Sequence, residues 1–260
     1  MGHMAVDLRT TPHLGLALGG GGVLGAAHVG VLQVLHERGI HPTIVAGTSA
    51  GAVIGAAYVR GRDVYEMETF VTHASWRDFG KRPRRPGLGL ADSSQLRATV
   101  ARIGGEDSEI ENLPLPFAAV AADARTGELV VLRSGSVIDA VRASMSVPGL
   151  FVPATVDGRQ LVDGGLVQNL PLETVFDMGA EHAIGVRLAP EWDRRPAPRT
   201  AVAVHEWEID RRVTMITPRV GRRSQWRARG LATLVRLGRE AAERALADYP
   251  VVTDRLRPAP

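Results

Sequence analysis

Four consecutive glycines, Gly19 to Gly22, interrupt the apolar stretch "LALGGGGVLGAAHVG" at residues 16–30. Glycine loses more backbone freedom on folding than any other residue, so ordering four together is costly. The run is enclosed rather than free: "HLGLALG" precedes it and "AAHVGVLQVLHERG" follows. The first segment reads as a buried strand. In the second, Ala27, Val31, Val34 and Leu35 recur at helical spacing, and Gly39 stands where a C-cap belongs. A glycine turn from strand into helix aims backbone amides at one point, which suits a phosphate or a developing oxyanion.

The alternation continues. "PTIVAG" reads as a second buried strand and "AGAVIGAAYVRG" as a second helix closed by Gly61, with a further helix expected over 62–75. Strand, helix, strand, helix predicts an α/β fold: a central, mostly parallel sheet covered by helices on both faces. Residues 77–95, rich in Pro, Gly, Arg and Ser, read as a loop or cover. "LPFAAVAADARTGELVVLRSG" predicts two strands joined by a turn at Arg125 to Gly127. A helix over 136–145, a hairpin turning at Asp157 and Gly158, the strand "QLVDGG" and the strand "HAIGVRL" follow. After Pro190 the chain is Arg- and Pro-rich, then reads as helical from residue 201 and again over 225–247.

Composition removes several classes of function. The 260 residues suffice for one large α/β domain. There are no cysteines, which excludes disulfides and thiolate metal sites and suits a reducing, cytoplasmic setting. The eight histidines show no HExxH spacing, so no metal site is expected. The opening "MGHM" reads as a cloning remnant over residues 1–3, placing the natural start at Met4. Residues 14–32 are apolar enough to resemble a membrane span, but seven glycines and His28 argue against it. The formal charge is only +3, concentrated in "RDFGKRPRRPG" (77–87) and in residues 211–229, where seven arginines meet no acid. These runs fit a solvated surface or peripheral contact with an anionic membrane. Nucleic acid is not expected, because no binding motif or interleaved aromatics accompany them.

Gly20, Gly22 and Gly25 form a G-x-G-x-x-G, the dinucleotide fingerprint. That reading requires an acidic residue ending the second strand to bind ribose hydroxyls. "PTIVAGTSAG" supplies none, and no G-x-x-x-x-G-K-[ST] occurs. The second strand runs instead into "GTSAG", a G-x-S-x-G framed by Gly47 and Gly51. A serine on a tight strand-to-helix turn is held exposed above the sheet, and the following helix dipole favours negative charge there. The plainer alternative makes Ser49 a helix N-cap.

A nucleophilic serine needs a base. His73, His182 and His205 follow Ser49, none in a recognisable catalytic loop. Asp163 in "LVDGGLVQNLP" is the better candidate, ending a strand before two glycines. Its plainer alternative is a turn-forming D-G. Gly164, Gly165 and Asn169 then order the loop that carries it. His28 is expected to pack or bond to backbone, and Asp123 to stabilise its turn.

Taken in order, "GGGGVLGAAHVGVL", "GTSAG", "ADARTGE", "RASMSVPGLFVPATVDGRQLVDGG" and "NLPLE" resemble the patatin-like phospholipases, serine–aspartate lipid acyl hydrolases. The resemblance runs from Leu14 to Leu188, implying a catalytic domain over 14–190. Residues 191–260 then form a linker and C-terminal helices packed on it or extending it. It implies Ser49 as nucleophile, Asp163 as base, no catalytic histidine and no cofactor. It also implies an oxyanion hole from the amides of Gly20, Gly21 and Gly22. The implied activity is hydrolysis of lipid carboxylic esters, of the phospholipase A or esterase type. Acyl transfer or thioester cleavage at the same site, or a catalytically weak interaction scaffold, are the alternatives. One departure stands out: the family usually carries a basic residue where this chain has Leu24.

Overall fold

The computed structural model describes residues 13–73, 101, 107–188, 204–221, 223–226 and 229–248. The expected loop at 77–95 and its arginines lie outside them. Eight strands are present among the described residues: β1 (Leu14–Leu18), β2 (Ile44–Thr48), β3 (Phe117–Asp123), β4 (Leu129–Leu132), β5 (Ala154–Val156), β6 (Arg159–Asp163), β7 (His182–Val186) and β8 (Val213–Ile216). The helices are α1 (Ala26–Glu37), α2 (Ala50–Val59), α3 (Val64–His73), α4 (Val137–Ser144), α5 (Leu172–Asp177), α6 (Val204–Ile209) and α7 (Leu231–Ala245). None of them is long and apolar enough to cross a membrane.

The strands form one mixed sheet in the order β5-β6-β3-β2-β1-β7-β8, with β4 also paired to β3. From β3 to β8 the pairings are parallel, while β4 and β6 run antiparallel to β3, and β5 to β6. Alternate residues of the central strands enter different cores. Leu14, Leu16 and Leu18 join the apolar cluster containing α1, α2 and α7, whereas Ala17 packs with Leu172 and Val175 of α5. Both faces are therefore covered, which is why these strands read as unbroken apolar runs.

Helix α7 lies on α1 with the two backbones in near contact. A Cβ on Gly30 would fall 1.9 Å from the Val235 carbonyl oxygen, and one on Gly238 would fall 2.0 Å from that of Ala27. Only glycine fits at this crossing. Arg239 then forks onto the Glu37 carboxylate through two bonds of 2.8 Å each.

Strand β8 was not legible in the sequence, where this region reads as helical and then merely basic. A run of four residues carries too little periodicity to declare its type. The open parallel edge of β7 makes it a strand. Helix α7 also begins later than its pattern predicts, at Leu231, because Gly230 takes φ 66 and cannot continue a helix backward.

The register of β3 positions the site. Thr48 of β2 pairs with Val120, and Asp163 of β6 pairs with Ala121. Strand β4 pairs with residues overlapping both sets, so it takes one edge of β3 and leaves the other to β2 and β6 in tandem. These two strands run toward each other and end at adjacent residues of β3.

Candidate active site at the ends of β2 and β6

Ser49 follows directly from Thr48 and stands at φ 53, ψ −119. A side chain rarely tolerates positive φ, and among the described non-glycine residues only Asp157 shares it. The predicted sharp turn is therefore a strained one. Its amide donates to Ser144 Oγ at 2.8 Å, and that hydroxyl donates to the Val120 carbonyl at 2.6 Å. Gly47 and Gly51 serve close approach: a Cβ on Gly51 would fall 2.0 Å from the Leu18 carbonyl oxygen, and one on Gly47 2.4 Å from that of Gly51. Helix α2 can thus sit directly on β1 and β2 and aim its first turn at Ser49.

Asp163 arrives from the other direction. The Ser49 side chain lies beside its carboxyl group and favours the ionised form. The Gly165 amide donates to Asp163 Oδ1 at 2.7 Å, and the Asp163 amide donates to the Ser146 carbonyl at 3.0 Å. Both side chains are nearly enclosed, Ser49 at 7% and Asp163 at 6% exposure. Burial pushes the Asp163 carboxyl up to about 6, against the opposing effect of the nearby Ser49 side chain and the Gly165 amide. A carboxylate of raised proton affinity beside a hydroxyl can take that hydroxyl's proton.

Ser144 and Ser146 were not singled out by sequence reasoning, although both lie in the quoted "RASMSVPG". One short segment grips the two residues, Ser49 through a side chain and Asp163 through a carbonyl. A residue that acts through its neighbours' backbone leaves no chemical pattern in the sequence.

The glycine loop requires a correction. Gly20 was expected to offer its amide to an oxyanion, but that N–H donates to the Asn169 carbonyl at 3.0 Å. Its free direction is consumed in tying the glycine loop to the loop after Asp163. The amides of Gly21 and Gly22 make no hydrogen bond among the described residues. Gly22 has φ 56 and lies under the Gln225 carbonyl, which accepts from Val23 N–H at 3.0 Å. Asn169 Oδ1 fills the space between Gly20 and Gly165, 2.6 Å and 3.2 Å from where their Cβ atoms would stand. Gly164 has its own packing reason: a Cβ there would meet the Val120 carbonyl oxygen at 2.2 Å.

The remaining candidates fall into place. His28 is wholly buried, and its Nε2 lies 2.8 Å from the Gly19 carbonyl oxygen. Asp123 Oδ1 accepts from the Arg125 and Thr126 amides, and these bonds with Arg159 hold its carboxyl down to about 2. His182 begins β7 beside Leu14, at the end of the sheet opposite Ser49. Leu24 is 2% exposed and belongs to the larger core, so a cation there would be driven into apolar packing. Among the described residues no group of His, Asp and Glu side chains is arranged to hold a metal ion.

Comparison with known proteins agrees with this architecture. The family model for patatin-like phospholipase matches residues 16–176. The chain belongs to the patatin-like phospholipase family. An uncharacterized NTE family protein of Mycobacterium tuberculosis is 36% identical over 181 residues, covering 69% of this chain and 50% of its own length. A lysophospholipase of Aspergillus fumigatus is 35% identical over 189 residues, covering 70% of this chain and 12% of its own. The chain thus spans about half the length of the first of these curated relatives and far less of the second. Among solved structures, VipD from Legionella pneumophila superposes with TM-score 0.58 at 16% identity, over 91% of this chain and 67% of that one. ExoU of Pseudomonas aeruginosa, in its complex with SpcU, gives 0.56 at 15%, over 92% and 52%. These two likenesses concern the fold alone.

Proposed function

We propose that this protein hydrolyses carboxylic esters of lipids through Ser49 and Asp163. The observation that carries the reading is the convergence of the Ser49 side chain and the buried Asp163 carboxyl at the abutting ends of β2 and β6, on a serine whose backbone is held at positive φ. Membership in the patatin-like phospholipase family supports the substrate class, as does the likeness to a lysophospholipase of Aspergillus fumigatus.

In the proposed sequence Ser49 Oγ attacks the acyl carbon as its proton passes to Asp163. The carbonyl electrons move onto oxygen, where the Gly21 and Gly22 amides stabilise the tetrahedral oxyanion. Collapse expels the alcohol, which takes the proton from Asp163 and leaves an acyl-serine. Water then attacks, giving a proton to Asp163, and the second collapse returns it to Ser49 Oγ. No step calls for a metal or cofactor. The arginines of residues 211–229 supply a second element of the reading, peripheral attraction to an anionic lipid surface.

Labelling with a fluorophosphonate probe, with the adduct mapped by mass spectrometry, tests the reading directly. Ser49 should carry the probe, and a panel of phospholipids, lysophospholipids, neutral glycerides and short esters should reveal hydrolysis. Absence of both labelling and turnover would leave a patatin scaffold without this chemistry.

A further inference from the structure

His28 takes no part in the sequence of steps above, yet it is wholly buried at the base of the glycine loop. Burial of an imidazole has a cost, so its one contact is informative. A carbonyl oxygen can only accept, so the 2.8 Å contact to Gly19 requires the proton on Nε2. Nδ1 finds no hydrogen-bond partner among the described residues, so the bond to Gly19 is the ring's one polar contact there. Burial holds its proton affinity down to about 4, so the ring is neutral at physiological pH.

The Gly19 carbonyl and the Gly20 amide belong to one peptide plane, and in a trans peptide they point in opposite directions. His28 holds the oxygen end at 2.8 Å and the Asn169 carbonyl holds the nitrogen end at 3.0 Å. The preceding plane is fixed as well, since the Gly19 amide donates to the Val186 carbonyl at 3.0 Å. A glycine run has no side chains to restrict its dihedrals. Its direction must be imposed from outside, and these three bonds impose it just before Gly21 and Gly22.

We propose that His28 is a positioning residue for the oxyanion loop: by donating Nε2–H to Gly19 it locks the Gly19–Gly20 peptide and so aims the Gly21 and Gly22 amides. The inference rests on the esterase reading for its catalytic consequence, but not for its structural one. Loss of the lock should weaken an interaction made mainly in the transition state, lowering kcat and leaving KM nearly unchanged.

Two amide variants separate the roles. The Nε2 of Gln can reach the position of the histidine Nε2, whereas the shorter Asn cannot. With a short neutral ester, His28→Asn should lower kcat by about 10- to 100-fold, less than or comparable to loss of a direct oxyanion donor, with KM within about threefold. His28→Gln should restore kcat to within about threefold of the wild type. Backbone amide exchange measured on the free protein gives a readout without turnover. The hydrogen-bonded Gly19 and Gly20 amides should exchange faster in His28→Asn and at the wild-type rate in His28→Gln. Equal kcat in wild type and His28→Asn, equal loss in both variants, or a loss confined to KM would overturn the proposal. A wild-type protein that turns over no ester would refute the esterase reading instead, and the exchange rates would still decide the role of His28. Should His28→Asn fail to fold, unchanged Gly19 and Gly20 exchange in a folded His28→Leu would overturn it.

Discussion

Ser144 Oγ accepts the Ser49 amide at 2.8 Å while donating to the Val120 carbonyl at 2.6 Å, so one buried hydroxyl joins the strained turn to the central strand. Truncation removes both bonds and strands two buried backbone groups. Ser144→Ala should destabilise the fold by about 1–3 kcal/mol, measured by urea denaturation. Esterase kcat should fall at the same time, because Ser49 loses the contact that holds its positive φ. Unchanged kcat with lowered stability would make Ser144 a packing residue only.

The paired ends of β2 and β6 predict the behaviour of the two candidate catalytic residues. Ser49→Ala should abolish both ester turnover and fluorophosphonate labelling. Asp163→Asn should lower kcat by at least about 100-fold while circular dichroism remains that of the wild type. An Asp163→Asn protein of near-normal activity would show that another group takes the Ser49 proton.

Activity should depend on pH through the same carboxyl. Asp163 acts as a base only when ionised, and its affinity for the proton is raised to about 6. The acidic limb of kcat/KM for a neutral ester should therefore show an apparent pKa near 6, with activity rising as pH increases through it. A limb near the ordinary aspartate value would mean that Asp163 is solvated in the working enzyme.

Stability should move the opposite way. The folded protein holds the Asp163 proton up to about 6, whereas the unfolded chain releases it near 3.8. Between those values the native state binds more protons, so stability declines as pH rises. The full difference corresponds to about 3 kcal/mol above the upper value. Asp163→Asn removes that ionisation, and its melting temperature should exceed that of the wild type at pH 8. The gap should shrink toward pH 4. Thermal melts at the two pH values check both sign and window.

Salt separates the site from the surface. Hydrolysis of a short neutral ester should vary little between low and high ionic strength, since the reaction is local and enclosed. Binding to vesicles containing an anionic phospholipid should weaken as salt rises, because arginine attraction to such a surface is screened. Salt-insensitive vesicle binding, measured by co-sedimentation, would remove the electrostatic account of residues 211–229.

The alternation of strand and helix, the glycine turn and the sharp turn at Ser49 are readable in the sequence because each depends on local spacing. Apolar periodicity within a dozen residues defines β1, α1, β2 and α2, and "GTSAG" marks the turn between the last two. What the sequence does not encode locally is which distant groups meet. Ser144 lies 95 residues from Ser49, and Asp163 meets it only because Val120 and Ala121 pair with consecutive strand ends. The same distance effect spends the Gly20 amide on Asn169, makes Val213–Ile216 a strand along β7, and buries Leu24 in the core. The raised proton affinity of Asp163 is likewise a tertiary property, since an isolated D-G-G carries a fully hydrated carboxylate. Sequence settles the backbone's local course, and long-range pairing and desolvation decide which atoms face each other and in what charge state.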